Sequence, residues 1–264
     1  MVYNVTAEET QPVVASHFNG TTEEIYARYC VSELCKGWPI YRDASEWQNY
    51  RSIFTKEGAC VWTTWSGGVP IDEFIKVSKE GREKGDFIMH RECGTLVDLD
   101  LAQSRAVGKM KATITQRFTL DGCEVDVECD ARFIFFCMRE DDEWKARFKK
   151  VFCEKSKVIP VDGKNAPSFP QDVLAKYPEG YKYLAVAQHM AGHPILNDLP
   201  TLNNKGVYQM YEAMGAWLRG EEIDLFWEKS YEYAKQKYLA IEIRGFSQIL
   251  RLIIEILCHC RNLW

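Results

Sequence analysis

The sequence predicts an α+β protein, because helical patterns come first along the chain, long β-rich runs follow, and helical patterns return after Pro160. The β-rich runs lie at 86–100, 104–118, 123–138 and 143–159. The segments "LDG" at 120–122 and "REDD" at 139–142 are typical of tight turns between the last three runs. We therefore expect an antiparallel meander of four strands with helices on either side of it in the chain.

Three helices are predicted before the meander. They cover residues 21–38, 44–54 and 70–85, and a first short strand lies at 59–65. For the first helix, Thr21 or Thr22 is a suitable N-cap, two glutamates follow in the first turn, and Gly37 comes next to the expected end.

The domain organisation follows from these patterns. Residues 1–20 are predicted as an N-terminal arm, 21–160 as an α+β barrel, and 161–264 as a helical extension packed on the barrel. Helices of the extension are expected at 180–192, 205–220 and 222–240. The segment 246–260 is apolar, but charged residues interrupt it and it is too short to span a membrane.

Composition narrows the class of protein. The net charge of −5 argues against a nucleic-acid partner, and "KARFKK" at 145–150 alternates like the outer face of a strand. Ten cysteines occur without a CxxC pair, and the N-terminus shows no pattern of a signal peptide. We therefore expect reduced cysteines, a cytoplasmic location and no membrane partner.

His90 and Asp43 are the candidate acid–base pair. The ordinary pKa of histidine lies near working pH, so His90 can accept and release a proton, and a carboxylate can orient its ring. From the strand alone, a hydrogen-bonded core or surface histidine is the favoured interpretation of His90. Asp43 also precedes "ASEW" with Glu46 at capping-box spacing, which favours a helix N-cap. A carboxylate cannot easily serve both the helix amides and the imidazole.

Aromatic residues near this pair are candidates for a ligand pocket. Trp38 is one candidate. Trp62 and Trp65 are three apart on a strand and point to opposite faces, so only one of them can line the pocket while the other packs under a helix, and Tyr41 is a candidate partner for ring hydroxyls. His189 lies four residues before His193, the spacing of a zinc-binding pair, but Pro194 disfavours a helix at His193 and no third ligand is evident. His189 remains a candidate substrate contact on a helix over the barrel mouth.

The pattern of helices followed by a bent meander, with "EWQNYRSIF" and "DEWKARFKKV" as landmarks, resembles the NTF2-like, SnoaL-like group. That resemblance implies a cone-shaped barrel. Within the group, Trp38, Asp43, Trp65 and His90 together resemble the fungal cofactor-independent decarboxylases of gallic and protocatechuic acid. The likeness to scytalone dehydratase is looser, because Thr115 stands where that enzyme has a second histidine.

The decarboxylase resemblance implies the function in detail. His90 and Asp43 would supply acid–base catalysis, Trp38 and Trp65 would clamp the ring of a small aromatic acid, and carbon dioxide would leave from protocatechuate or gallate. It also implies a homotrimer, a potassium ion held by backbone oxygens, and no organic cofactor. The alternative enzyme is a dehydratase, cyclase or isomerase acting on an aromatic polyketide. A non-enzymatic binding module would instead bury His90 with no acid in reach.

Overall fold

The computed structural model describes residues 15–227. Its helices are α1 Thr22–Asp43, α2 Trp47–Ser52, α3 Ile71–Glu83, α4 Gln171–Leu174, α5 Lys182–Met190 and α6 Gly206–Leu218. Its strands are β1 Cys60–Trp62, β2 Val69–Pro70, β3 Phe87–Asp100, β4 Arg105–Leu120, β5 Cys123–Glu140 and β6 Glu143–Pro160. Most of the predicted arm, most of the helix expected at 222–240 and the segment 246–260 lie outside the described residues.

The sheet has six strands in the order β2-β1-β6-β5-β4-β3. The four long strands form the predicted antiparallel meander, and β1 adds to β6 in parallel. At both predicted turns the two central residues have positive φ, as a two-residue hairpin requires: Asp121 and Gly122 in the first, Asp141 and Asp142 in the second. The α+β fold predicted from the sequence is confirmed.

Helix α1 begins as predicted and ends later. Thr21 caps it, in a capping box with Glu24. Gly37 does not end the helix. A Cβ at this position would lie 2.9 Å from a methyl carbon of Ile53, so the glycine serves close packing inside α1. The helix ends instead at Asp43, and Ser45, a left-handed residue with φ of 61° two residues later, closes the Schellman pattern of hydrogen bonds.

Bulges bend the long strands. The register of β3 on β4 shifts between Glu92 and Gly94, and that of β5 on β6 shifts at Asp130/Ala131 and at Phe136/Cys137. Each extra residue increases the local bend and twist, which curves the sheet. The inner face of this curve carries the candidate site and packs against α1, through contacts such as that of Trp38 with Phe133.

The outer face of the sheet packs against α6. Trp217 of α6 donates its indole N–H to the carbonyl oxygens of Ala106 and Cys137, at 3.2 and 3.0 Å. The cluster around it also holds the following buried residues: Trp62, Val107, Ile134, Phe136, Phe152, Met210 and Met214. Helix α5 lies on the other side, at the inner face. Because both faces are covered, residues of both parities along β5 and β6 are buried.

Several boundaries differ from the predicted ones. Helix α4 was not expected, and residues 221–227 have no helical structure although a helix was predicted from residue 222. Residues of the predicted arm contact β3, since Ser16 pairs with Leu99 and the ring of His17 lies 2.7 Å from a carboxylate oxygen of Asp98. No helix within residues 15–227 is long and apolar enough to cross a membrane. All eight cysteines in this range are free thiols.

We predict that Gly108→Ala destabilises the fold through one contact. Gly108 of β4 faces Cys35 of α1, and a Cβ there would collide with the buried Cys35 sulfur. The overpacking is expected to cost about 1–3 kcal/mol in the free energy of unfolding, measured by urea denaturation. In the double variant with Cys35→Ala the space is restored, so most of the cost of Gly108→Ala should disappear. Additive effects of the two substitutions would contradict this account.

Candidate active site

Asp43 and His90 form a two-point contact. The Nδ1 atom of His90 lies 2.7 Å from Asp43 Oδ1, and the backbone N–H of His90 donates to Asp43 Oδ2 at 2.6 Å. A carboxylate only accepts hydrogen bonds, so Nδ1 carries the proton and Nε2 of the neutral ring is left with its lone pair. Among the described residues, none makes a hydrogen bond to Nε2. A nitrogen in this state can accept a proton from a ligand.

The fold explains why this contact forms. Asp43 is the last residue of α1, and β3 is the free edge of the sheet. At His90 the edge strand therefore directs its backbone N–H away from β4 and toward the helix end. The alternative role of Asp43 as a helix N-cap is wrong, because α2 is preceded by Glu46 and has no side-chain cap. The guanidinium of Arg82 donates to the Asp43 carbonyl and holds the helix end in place.

Burial controls the basicity of His90. Its side chain is 5% exposed. Burial, which disfavours the charged imidazolium, lowers the pKa of His90 to about 4, and the nearby cations Arg42 and Lys149 add to that effect. The hydrogen bond and charge of Asp43 oppose the shift but do not cancel it. At neutral pH the imidazole is therefore uncharged, and the lone pair of Nε2 is available to accept a proton.

His90 lines a small inner cavity. Aromatic and aliphatic side chains from α1, α3, α5 and the inner face of the sheet form most of the wall. An outer pocket lies next to it, and four residues line both: Arg42, Trp65, Ile88 and Gln188. These residues stand between the cavity and the surface. The arrangement suits a small ligand that enters through the outer pocket and reaches His90.

Two cations in this cavity were not among the predicted site residues. Lys149 is 1% exposed, and its Nζ lies 4.0 Å from the Trp38 ring centre and 3.8 Å from that of Phe133. Arg42, 8% exposed, stacks over Phe74 at 5.4 Å and Trp38 at 6.0 Å. Burial lowers the pKa of both groups. The prediction that residues 145–150 form the outer face of a strand is wrong for Lys149, because both sides of β6 are covered.

The predicted aromatic clamp is only partly assembled. Trp38 and Trp65 both line the inner cavity, as does His90. The Trp65 ring stacks on Phe74 at 5.0 Å and 5°, and the Trp38 ring meets the same phenylalanine at 5.6 Å and 39°. The two indoles thus share one aromatic neighbour. Trp62 packs away from the cavity, in the cluster with α6, as predicted. Clamping of a ligand by the pair stays a prediction.

The other predicted contacts are not at the cavity. Tyr41 is absent from the lining of both the cavity and the outer pocket. His189 is exposed and packs on Tyr177 at 6.4 Å, whereas its neighbour Gln188 faces the cavity. His193 lies in the outer pocket, 3.8 Å from Asp86. Helix α5 ends before His193 as predicted, and residues 15–227 hold no cluster of three metal-ligating side chains.

The alternative enzyme needs a second acid–base group, and Thr115 stands at its expected position. Two hydrogen-bonded amide side chains lie at this end of the cavity instead. Ile114 and Gln116 point to the inner face, so Thr115 between them points to the outer one. Gln188 donates to Gln116 at 2.9 Å and accepts from Thr64 at 2.7 Å. Thr115 is thus not a partner of His90 across the cavity.

Comparison with known proteins places this barrel in a defined class. Residues 23–150 match the model of the SnoaL-like domain. Pea pathogenicity protein 2 of Fusarium vanettenii is 44% identical over 224 residues, which is 82% of this chain and 96% of that protein. An uncharacterized protein of Aspergillus terreus is 39% identical over 259 residues, which is 92% of this chain and 91% of that protein. The chain belongs to the family of these pea pathogenicity 2-like proteins.

Solved structures show a more remote likeness. A putative scytalone dehydratase from Novosphingobium aromaticivorans is 12% identical, with a TM-score of 0.43 over 56% of this chain and 93% of that one. A hexachlorocyclohexane dehydrochlorinase is 14% identical, with a TM-score of 0.44 over 56% of this chain and 97% of that one. None of the relatives named here is described as a decarboxylase. The decarboxylase resemblance, the potassium ion and the homotrimer stay predictions.

We predict that His90 makes stability depend on pH in a defined window. Its pKa is about 4 in the folded protein and has the ordinary value of 6.5 in the unfolded chain. Between these values the unfolded chain binds more protons, so the free energy of unfolding falls as pH is lowered from 6.5 toward 4. We expect a loss of roughly 3 kcal/mol from this group, measured by urea unfolding at stepped pH.

The control for this experiment is a second histidine. His90→Gln should remove that part of the pH dependence, whereas His189→Gln, at an exposed position, should retain it. Identical pH profiles for wild type and His90→Gln would show that His90 is not the responsible group.

Proposed function

We propose that the protein is a lyase or isomerase of the dehydratase type that uses His90 as a base on a small cyclic substrate. One observation carries the proposal: a buried, neutral imidazole is held by Asp43 through Nδ1 while the ring lines a cavity. An acid beside His90 is the opposite of what the binding-module alternative predicts. The aromatic walls favour a small ligand that carries an apolar ring.

The residues suggest a simple course of reaction. Nε2 of His90 takes a proton from a carbon next to a carbonyl group, and the electron pair of the broken C–H bond moves into the carbonyl system. Asp43 stabilises the imidazolium that forms, as the carboxylate does in a hydrolase triad. The same proton then leaves with a hydroxyl group as water in a dehydration, or returns to another carbon in an isomerisation.

Decarboxylation of a hydroxybenzoate is the second candidate. The cations Arg42 and Lys149 favour it, because they attract a carboxylate into the cavity. The low pKa of His90 counts against it, because protonation of the ring carbon needs an acid and the neutral imidazole is a base. We therefore rank proton abstraction first.

We predict that 3-hydroxy-1-tetralone, a β-hydroxyketone fused to an aromatic ring, is dehydrated to 1-naphthol. His90→Gln should lower the rate about 10²–10⁴-fold, because it removes the base, and Asp43→Asn should lower it in the same direction. His189→Gln is the matched control and should retain the wild-type rate. Below about pH 4 the wild-type rate should fall as His90 becomes protonated, with Asp43, Arg42 and Lys149 as the charged groups around it.

The same incubation includes protocatechuate and gallate, with 1-naphthol, catechol and pyrogallol followed by chromatography. Catechol or pyrogallol formed by wild type and not by His90→Gln would favour the decarboxylase instead. Turnover by His90→Gln at the wild-type rate would refute both roles of the dyad.

A further inference from the structure

The inner cavity holds more hydrogen-bond donors than its own residues satisfy. The indole N–H of Trp38 and the Nε of Arg42 are buried without a hydrogen-bond partner. In the described part of the chain, Lys149 Nζ pairs with no carboxylate and lies over the rings of Trp38 and Phe133. The Asp43 carboxylate is already bonded to His90 through both oxygens. Buried donors without acceptors are costly, so their grouping in one cavity points to an acceptor supplied by a ligand.

The neighbouring lysine of β6 has a hydrogen-bond acceptor, so the lack of one for Lys149 is specific to the inner face. Lys150 is equally buried, on the outer face, but its ammonium group donates to the carbonyl oxygen of Leu225 at 2.6 Å. Lys149 lies on the inner face with the ring of Trp38 on which Arg42 also stacks. The two cations therefore share one aromatic surface inside the cavity that His90 lines.

We propose that Lys149, together with Arg42, forms an oxyanion site that receives the phenolate or enolate oxygen of the ligand. This rests on the proposed function, in which His90 removes a proton from carbon and negative charge develops on the carbonyl oxygen. Lys149 Nζ would donate a hydrogen bond to that oxygen and stabilise its charge. His90 accepts the proton and the lysine stabilises the oxygen, so the two groups act on different atoms of one ligand.

Desolvation makes this site selective for a ligand with an ionisable oxygen. In the empty cavity burial lowers the pKa of Lys149, with Arg42 contributing. A ligand that enters as its phenolate, with the O–H proton left in solvent, would pair with Lys149 in its ammonium form. In a buried site the attraction within such a pair is much stronger than in water. A neutral ligand without an ionisable oxygen would leave the donors unsatisfied.

The test uses 4-nitrophenol, whose phenol and phenolate forms absorb at different wavelengths. The full-length protein is titrated against the probe, and binding is followed by quenching of tryptophan fluorescence. We expect bound probe to be ionised about one pH unit or more below the midpoint of the free probe, because the site favours the phenolate. In Lys149→Met this shift should disappear and affinity should fall about tenfold or more.

Lys150→Met is the matched control and should keep the shift, since it changes the same residue type on the opposite face. Arg42→Met is a second variant and should reduce the shift. Bound probe that remains neutral in the wild-type protein overturns the proposal, and this result does not require Lys149→Met to fold. Equal shifts in wild type and Lys149→Met also overturn it.

The probe has no acidic C–H bond next to a carbonyl group, so His90 cannot turn it over and its spectrum reports binding alone. An ionised bound probe without dehydration of 3-hydroxy-1-tetralone would support the oxyanion site and count against the base role of His90. Dehydration together with a neutral bound probe would support the base role of His90 and count against the oxyanion site.

Discussion

The site depends on the contact of the Asp43 carboxylate with His90. One oxygen fixes the ring tautomer and the other satisfies a backbone N–H at the free edge of the sheet. The same contact therefore satisfies a backbone N–H of the edge strand β3, orients the imidazole and joins the end of α1 to the sheet. A backbone hydrogen bond also restricts the carboxylate to one position, which a contact between two flexible side chains alone would not do.

Burial sets the chemistry of the groups around this contact. Three basic side chains line the cavity, His90, Arg42 and Lys149, and removal from water lowers the pKa of each of the three. For His90 the result is a neutral base at working pH. For the two longer side chains, aromatic faces take the place of water and counter-ions. Burial of these cations has an energetic cost, and apolar residues of similar volume would pack there without that cost. A function for the cations best explains why they are there.

The sequence predicted the strands better than the site. Turn signals at 120–122 and 139–142 and the cap at Thr21 are local, so the meander and the start of α1 could be predicted. Gly37 was misleading because its role is a contact with Ile53, which a local pattern does not show. Lys149 could not be placed, because its burial depends on α1 covering the inner face and α6 the outer one. His90 and Asp43 were paired by a family resemblance, and the edge-strand geometry now gives a physical reason for that pairing.

The Trp38 ring contacts the three basic groups of the cavity and restricts their positions relative to one another. Its ring meets that of His90 at 6.4 Å and nearly at right angles, and the Lys149 ammonium and the Arg42 guanidinium pack on the same ring. A base and an oxyanion donor must be held at a fixed separation if they are to act on adjacent atoms of one ligand. A rigid indole buried between α1 and the sheet meets that requirement, because it has only two side-chain torsions and both are restricted by packing. The separation of base and cation is therefore determined by the core of the protein rather than by a mobile loop.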